Sequence, residues 1–128
     1  MMRLELRSPI FYTQGHEDTG EILYCYEINP VQGCSIEPDH KRFLGNLVFA
    51  GKKDTGDNKG EQVLLPAGLY LFSQHRGDAA LNQEEWLDMA IEQQKDGLWE
   101  RHKPGNLLYV RYLHEDGAFV TQVFRVLA

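Results

Sequence analysis

The first half of the chain shows the alternation of apolar and polar residues that is typical of β-strands. Residues 3–12 begin with a strict alternation, which indicates a strand with one buried face, and Pro9 predicts a bend or an edge in it. Residues 21–28 and 42–50 form further runs that are rich in apolar and aromatic side chains. We therefore predict three or four strands before residue 51.

A polar stretch separates these strands from the rest of the chain. Residues 51–60 contain no apolar side chain and three glycines, a composition that is typical of a solvent-exposed loop. With 128 residues in total, the chain is predicted to be a single domain. In this interpretation the loop joins a first half, residues 1–50, to a second half, residues 61–128.

The second half has the clearer pattern, which is strand, helix, strand, strand. We predict strands at 61–65 and 69–72, a helix at 83–96, and a final pair of strands at 107–113 and 119–127. The chain as a whole is thus predicted to have an α+β fold, with an antiparallel sheet, one long helix and a β-α-β-β unit in the C-terminal half.

Residues at both ends of the helix set its predicted boundaries. Asn82 is a natural N-cap, and Glu85 completes a capping box with it. Leu81 and Trp86 occupy the two positions of a hydrophobic staple. Gly97 suits the position that follows the last helical residue, because glycine adopts the left-handed conformation found there.

Charge and composition exclude several classes of function. The net charge of −6 opposes a phosphate backbone, so we expect no direct contact with nucleic acid. The chain has neither a signal-peptide pattern nor a run of about 20 apolar residues, which predicts a cytoplasmic protein that does not enter a membrane. Two cysteines are too few for a disulfide framework, and Cys25 is expected to be a buried free thiol.

No pattern of residues indicates catalysis or a cofactor. The five histidines show no spacing of three or four residues and no flanking pair of cysteines or carboxylates, so no metal site is predicted. The chain has no nucleophile elbow, and its glycines fit neither a P-loop nor a dinucleotide-binding loop. We predict no catalytic residues and no cofactor, and whether the protein is an enzyme stays open.

Aromatic residues are abundant in this chain. The chain has six phenylalanines, six tyrosines and two tryptophans, mostly on predicted strands. A sheet with one helix has limited room to bury so many large side chains. We therefore expect some of them to line a ligand cleft or the interface of a homodimer.

The segment Leu65-Pro66-Ala67-Gly68-Leu69-Tyr70 resembles a motif of the GyrI-like small-molecule-binding family. That family includes the effector-binding domains of multidrug-sensing transcription regulators, in which a strand of the form (I/L)-P-x-G-x-Y precedes the helix. The order of the following elements is also similar, so the resemblance covers the second half of the chain. Pro66 and Gly68 are expected to kink the strand, with Gly68 in a conformation that other residues resist.

This resemblance implies two β-α-β-β units related by a pseudo-twofold axis, with a ligand pocket between them. Residues 1–50 would then be a degenerate copy of the second half. His75 corresponds to a position where multidrug-sensing members carry a pocket aromatic. The family's cation-reading glutamate corresponds here to Leu108 or Val110, which counts against cation recognition and hydrolytic activity.

These observations favour a module that binds a small, partly apolar molecule and acts as an effector sensor. Glu27 or Arg111 would set the charge preference, although Arg111 also fits an outward-facing residue paired with a carboxylate across the hairpin. A role in transcription regulation would need a partner protein, because no DNA-binding helix pair precedes the domain. The alternatives are an interaction or inhibitor domain with an acidic surface, and a hydrolase. The predicted pocket residues are Tyr24, Tyr26, Tyr70, His75, Tyr112 and Phe119.

Overall fold

Strands dominate the described part of the chain, which in this computed structural model comprises residues 2–15, 21–27, 46–53, 61–97 and 104–127. A single helix, α1 (Gln83–Gly97), lies between the sixth and seventh strands of this part. All the strand pairs in it are antiparallel. The strands are β1 (Met2–Leu6), β2 (Ile10–Gln14), β3 (Ile22–Glu27), β4 (Asn46–Lys53), β5 (Gln62–Leu65), β6 (Gly68–Gly77), β7 (Pro104–Glu115) and β8 (Ala118–Leu127).

These strands form one sheet in the order β1-β6-β8-β7-β3-β4-β2-β5, which curls into a half-barrel. The chain connections explain the curl. Only residues 7–9 separate β1 from β2, and only residues 66–67 separate β5 from β6. Because three residues span at most about 11 Å, these short links hold the two ends of the sheet close together.

The predicted α+β class is therefore wrong, because the molecule is mainly an antiparallel β-structure with one helix. The stretch 3–12, predicted as one strand, contributes to two strands. β1 pairs with β6 at one end of the sheet, whereas β2 pairs with β4 and β5 near the other end, so the short link between β1 and β2 brings the two ends together. The described residues of the first half contain strands and no helix, so they do not form a second β-α-β-β unit. Of residues 13–20, the stretch that the sequence leaves for such a helix, residues 13 and 14 belong to β2 and residues 16–20 lie outside the described residues.

Side chains from all eight strands meet on the inner face of the curled sheet and form the inner core. Tyr70 packs edge-to-face against Phe124 and Tyr109, with ring centroids 5.6 and 6.2 Å away. Cys25 is a buried free thiol, as predicted, and burial raises its pKa to about 11. The buried members of the inner core are Tyr12, Leu23, Cys25, Leu65, Tyr70, Phe72, Tyr109 and Phe124.

The helix covers part of the outer face of the same sheet. Its residues Trp86, Leu87 and Ala90 are buried in one cluster with Leu108, Val110 and Val123 of β7 and β8. The helix therefore packs on β8 and on its two neighbours in the sheet, β6 and β7. This places the N-terminus of α1 beside the outer face of β3 and β7.

The start of the helix confirms the sequence prediction, including the capping box, whereas its end includes Gly97, one residue beyond the predicted end. The Asn82 Oδ1 atom accepts a hydrogen bond from the Glu85 backbone N–H (2.9 Å), and a Glu85 carboxylate oxygen accepts one from the Asn82 N–H (3.0 Å). Two backbone donors that the first helical turn leaves without a partner are thereby satisfied. The start of α1 is thus fixed by residues adjacent in sequence.

Strand β4 extends into the segment predicted as a polar loop. Gly51 and Lys52 pair with Gln14 and Thr13 of β2 on one side and with β3 on the other, and the strand ends at Lys53. Gly51 is buried, because its backbone passes directly under Tyr12. Residues 54–60 of the predicted loop lie outside the described residues.

We expect Gly68→Ala to lower the free energy of unfolding by about 1–2 kcal/mol, because residues other than glycine resist its backbone conformation. Gly68 has a φ of 152° and starts β6 directly after the bend, which the Tyr70 hydroxyl spans by donating to the Pro66 carbonyl oxygen (2.5 Å). An added Cβ would meet no atom within 4 Å, so the cost lies in the backbone. Urea unfolding measures it, and an unchanged stability would contradict the strained conformation.

Candidate functional site

A cleft of about 510 Å³ opens on the outer face of the sheet beside the N-terminus of α1. Strand β3, the β7–β8 hairpin and the segment that leads into the helix form its walls. The lining residues are Ile22, Tyr24, Tyr26, Ala80, Leu81, Gln83, Trp86, Tyr112, Leu113, His114 and Phe119.

Strand alternation places the tyrosines in this cleft. On β3, Leu23 and Cys25 face the inner core, so Tyr24 and Tyr26 face outward. Tyr112 of β7 lies on the same face, because it pairs with Ile22 of β3, whose side chain is on the same side of the strand as those of Tyr24 and Tyr26. The helix lies mainly over β6 and β8 and leaves this part of the outer face open, which produces the cleft.

The aromatic rings form a continuous wall. Tyr24 contacts Tyr112 edge-to-face, with centroids 6.0 Å apart and an interplanar angle of 84°. Tyr26 lies between Tyr24 (6.3 Å) and Trp86 of the helix (5.2 Å). One side of the cleft is therefore aromatic from β7 to the helix.

Hydrogen bonds fix one part of this wall. The Tyr112 hydroxyl donates to the Leu81 carbonyl oxygen (3.1 Å), and the Leu81 N–H donates to the buried Thr121 hydroxyl (3.1 Å). Burial, which is the main cause, raises the pKa of Tyr112 above its ordinary value of 10.0. The Tyr112 phenol is therefore neutral at physiological pH and ties the segment before α1 to the sheet.

Apart from His114, the described lining of the cleft consists of apolar, aromatic and neutral polar side chains. Among the lining residues that the structure describes, none carries a carboxylate, an ammonium or a guanidinium group. His114 is at the far end, with its ring 4.1 Å from that of Phe119. The described lining thus offers aromatic surface and hydroxyl groups, and it offers no carboxylate for general acid–base chemistry.

The structure brings four of the predicted pocket residues together and separates two others from them. Tyr24, Tyr26, Tyr112 and Phe119 line the cleft. Tyr70 is instead buried in the inner core, where burial raises its pKa to about 12. His75 is exposed on β6 and does not line the cleft.

Neither residue expected to set the charge preference lines the cleft. Glu27 is exposed at the end of β3. Arg111 lies on the inner face of β7 and forms an ion pair with Glu21 at 3.0 Å, with a further hydrogen bond to Gln122 on β8. Arg111 therefore does pair with a carboxylate, as one of the two expectations had it. However, it lies on the inner face of the sheet instead of the outer face, and its partner Glu21 precedes β3 instead of lying across the β7–β8 hairpin.

Sequence reasoning did not assign Leu81, Trp86 and His114 to the site. Leu81 and Trp86 were recognised only as a hydrophobic staple at the start of the helix. A staple fixes the angle at which the chain enters a helix, and here that entry segment also forms a wall of the cleft. Nothing in the sequence around His114 indicates that it belongs to a site, because this residue stands directly before an ordinary hairpin turn.

The described part of the chain contains neither a candidate metal site nor a candidate membrane-spanning helix. It contains no group of three or more histidine, cysteine, aspartate or glutamate residues that could hold a metal ion. In the same residues, no helix is long and apolar enough to cross a membrane.

The fold and the cleft define the protein as a small antiparallel half-barrel with an aromatic cleft beside its helix. No protein-family model, no curated protein and no solved structure matches the chain significantly. The resemblance to the GyrI-like family therefore rests on residues 65–70 and the order of the elements that follow, and it stays a prediction.

Proposed function

We propose that this protein binds a small, partly apolar molecule in the aromatic cleft. The observation that carries the proposal is a cleft of about 510 Å³ whose wall combines Tyr24, Tyr26, Tyr112 and Trp86. Ligand sites commonly have volumes of about 300–1,000 Å³ and a largely apolar lining with a few polar groups. An effector-sensing role would follow if binding changes the position of α1.

The energetics favour a ligand that covers the rings. Tyr24, Tyr26 and Tyr112 are partly exposed to solvent. Each 100 Å² of apolar surface removed from water contributes about 2.5 kcal/mol before the entropic costs of association. A flat molecule over this wall would therefore bind mainly through surface burial.

The alternatives are less well supported by the same observations. A hydrolase needs an activated nucleophile or a carboxylate, and the described lining residues offer neither. A homodimer whose interface covers the strand aromatics stays a prediction for a measurement of oligomeric state. Leu47 and Val48 on β4, which are 44% and 52% exposed, add apolar surface outside the cleft. An interaction through an acidic surface also stays a prediction.

The proposal is tested by filling the cleft. Ala80 and Ala79 are both exposed, but only Ala80 is among the lining residues. We expect the neutral dye N-phenyl-1-naphthylamine to gain fluorescence on binding the wild-type protein. Ala80→Trp should weaken that binding by at least tenfold, because the indole occupies the space of the ligand.

The matched control is Ala79→Trp, which adds the same indole one residue away. We expect this variant to bind the dye as the wild type does, with both variants retaining the wild-type circular dichroism spectrum. Absence of dye binding by the wild type, or equal binding by both variants, would contradict the proposed site.

A further inference from the structure

The charge of the cleft restricts the chemistry of its ligand. Apart from His114, which is exposed at one end, none of its described lining residues carries a carboxylate, an ammonium or a guanidinium group. An ionised ligand would lose hydration, which is costly in an apolar site; an anion gains no partner in return, and a cation gains only cation–π contacts with the rings. A negatively charged ligand would in addition be repelled by a chain with a net charge of −6.

The hydroxyl groups of the aromatic wall differ in whether they have a hydrogen-bond partner among the described residues. The Tyr112 hydroxyl donates to the Leu81 carbonyl oxygen. The hydroxyls of Tyr24 and Tyr26 have no hydrogen-bond partner among the described residues, although both side chains are half-buried. Two neighbouring phenol donors therefore remain available to a bound molecule.

The ring geometry restricts the shape of the ligand. Tyr24 and Tyr112 stand nearly perpendicular, at 84°, and Tyr26 is tilted by 39° against Trp86. Aromatic rings prefer offset-stacked or edge-to-face contacts, and a planar molecule can make both with such a wall. A globular molecule of the same volume would touch fewer ring atoms.

We infer that the cleft takes a neutral, planar aromatic molecule whose carbonyl or hydroxyl oxygen accepts hydrogen bonds from Tyr24 and Tyr26. This inference rests on the proposed function and adds the class of the ligand. The aromatic wall supplies most of the contact area, whereas the two phenols select for an acceptor. A ligand without an acceptor leaves their hydroxyls without a partner in a partly dehydrated site.

The test uses matched probes that displace N-phenyl-1-naphthylamine. They are 2-acetylnaphthalene (neutral acceptor), 2-ethylnaphthalene (no acceptor), 2-naphthoate (anion), 2-naphthyltrimethylammonium (cation) and 1-acetyladamantane (globular acceptor). We expect 2-acetylnaphthalene to bind about tenfold more tightly than each of the others, a difference of about 1.4 kcal/mol. Tighter binding of the anion, the cation or the globular ketone would overturn the inference.

Variants then assign the selectivity to the two phenols. Tyr24→Phe combined with Tyr26→Phe should weaken 2-acetylnaphthalene binding by about tenfold and leave 2-ethylnaphthalene binding within about twofold, because only the hydroxyls are removed. Tyr109→Phe, which removes a phenol from the inner core, should change neither value. An unchanged preference for the ketone in the double variant would overturn the inference.

The two proposals fail in different ways. If all the probes bind, Ala80→Trp blocks them and no preference for the ketone is found, the cleft binds ligands but the inferred class is wrong. If no probe and no dye binds the wild-type protein, the proposed function itself is wrong and the inference falls with it.

Discussion

Replacing Arg111 by leucine is expected to lower the free energy of unfolding by about 3 kcal/mol at pH 7. The Arg111 guanidinium donates to one Glu21 carboxylate oxygen through Nε (3.2 Å) and an Nη atom (3.0 Å), and the Tyr12 hydroxyl donates to the same oxygen (2.6 Å). Leucine leaves the Glu21 charge in place without its counter-ion. Breaking a buried pair costs about 3–5 kcal/mol, and we take the lower end because these side chains keep 18% and 17% of their exposure.

The effect of this variant should depend on pH. Burial alone would raise the pKa of Glu21, but the hydrogen bond from Tyr12 and the charge of Arg111 outweigh it and hold the pKa below its ordinary value of 4.5. A carboxyl group with a lowered folded-state pKa contributes stability above its unfolded pKa, and this contribution is lost as the pH falls through the folded-state pKa. The stability difference between wild type and Arg111→Leu should therefore be largest near pH 7 and shrink below about pH 4.5.

The matched control for Arg111 is Arg76→Leu. Arg76 is also a strand arginine, but its side chain is 42% exposed and its ion pair with Asp116 measures 4.0 Å. Because exposed pairs contribute about 0–1 kcal/mol, this variant should remain close to the wild type. Guanidinium chloride would screen both pairs, so urea unfolding at several pH values is the measurement. Equal losses in the two variants would contradict the network at Glu21.

Gly51→Ala is expected to lower the free energy of unfolding by about 2–3 kcal/mol. A Cβ at this position would lie 2.6 Å from Cγ2 of Val63 and 2.8 Å from Cβ of Tyr12. The Tyr12 Cβ is bonded directly to the backbone of β2, so it cannot rotate away, and β2 or β4 must shift. Inserting an extra methyl group into a packed core typically costs about 1–3 kcal/mol.

Gly105→Ala provides the control for this substitution. Its Cβ would meet the atoms of Val126 at 3.5 Å or more, which is ordinary contact, and we expect little change in stability. The comparison also tests the extent of β4. If residue 51 were in a solvated loop, as its sequence context indicates, Gly51→Ala would be as well tolerated as Gly105→Ala.

The sequence by itself predicted the features that depend on neighbouring residues alone, namely the start of α1 and the alternation of side chains along β3. The helix begins after Asn82 because the capping residues lie within four positions of each other, so their hydrogen bonds depend on local geometry alone. The separation of Tyr24 and Tyr26 from Leu23 and Cys25 on β3 likewise depends on local geometry alone, since neighbouring side chains of a strand point to opposite faces. These two facts supplied most of the aromatic wall.

Only the tertiary structure decided how the strands are paired and which face each side chain shares with its neighbours. Tyr70 and Tyr112 have similar sequence contexts, yet Tyr70 lies in the inner core and Tyr112 in the cleft. Both faces of the sheet carry apolar side chains: the inner face packs against the other strands of the half-barrel, and the outer face packs against the helix. The hydrophobicity of a residue therefore does not tell which face it occupies. The curl depends on β1 pairing with β6 and β2 with β5, contacts between residues 49 to 70 positions apart that no local pattern encodes.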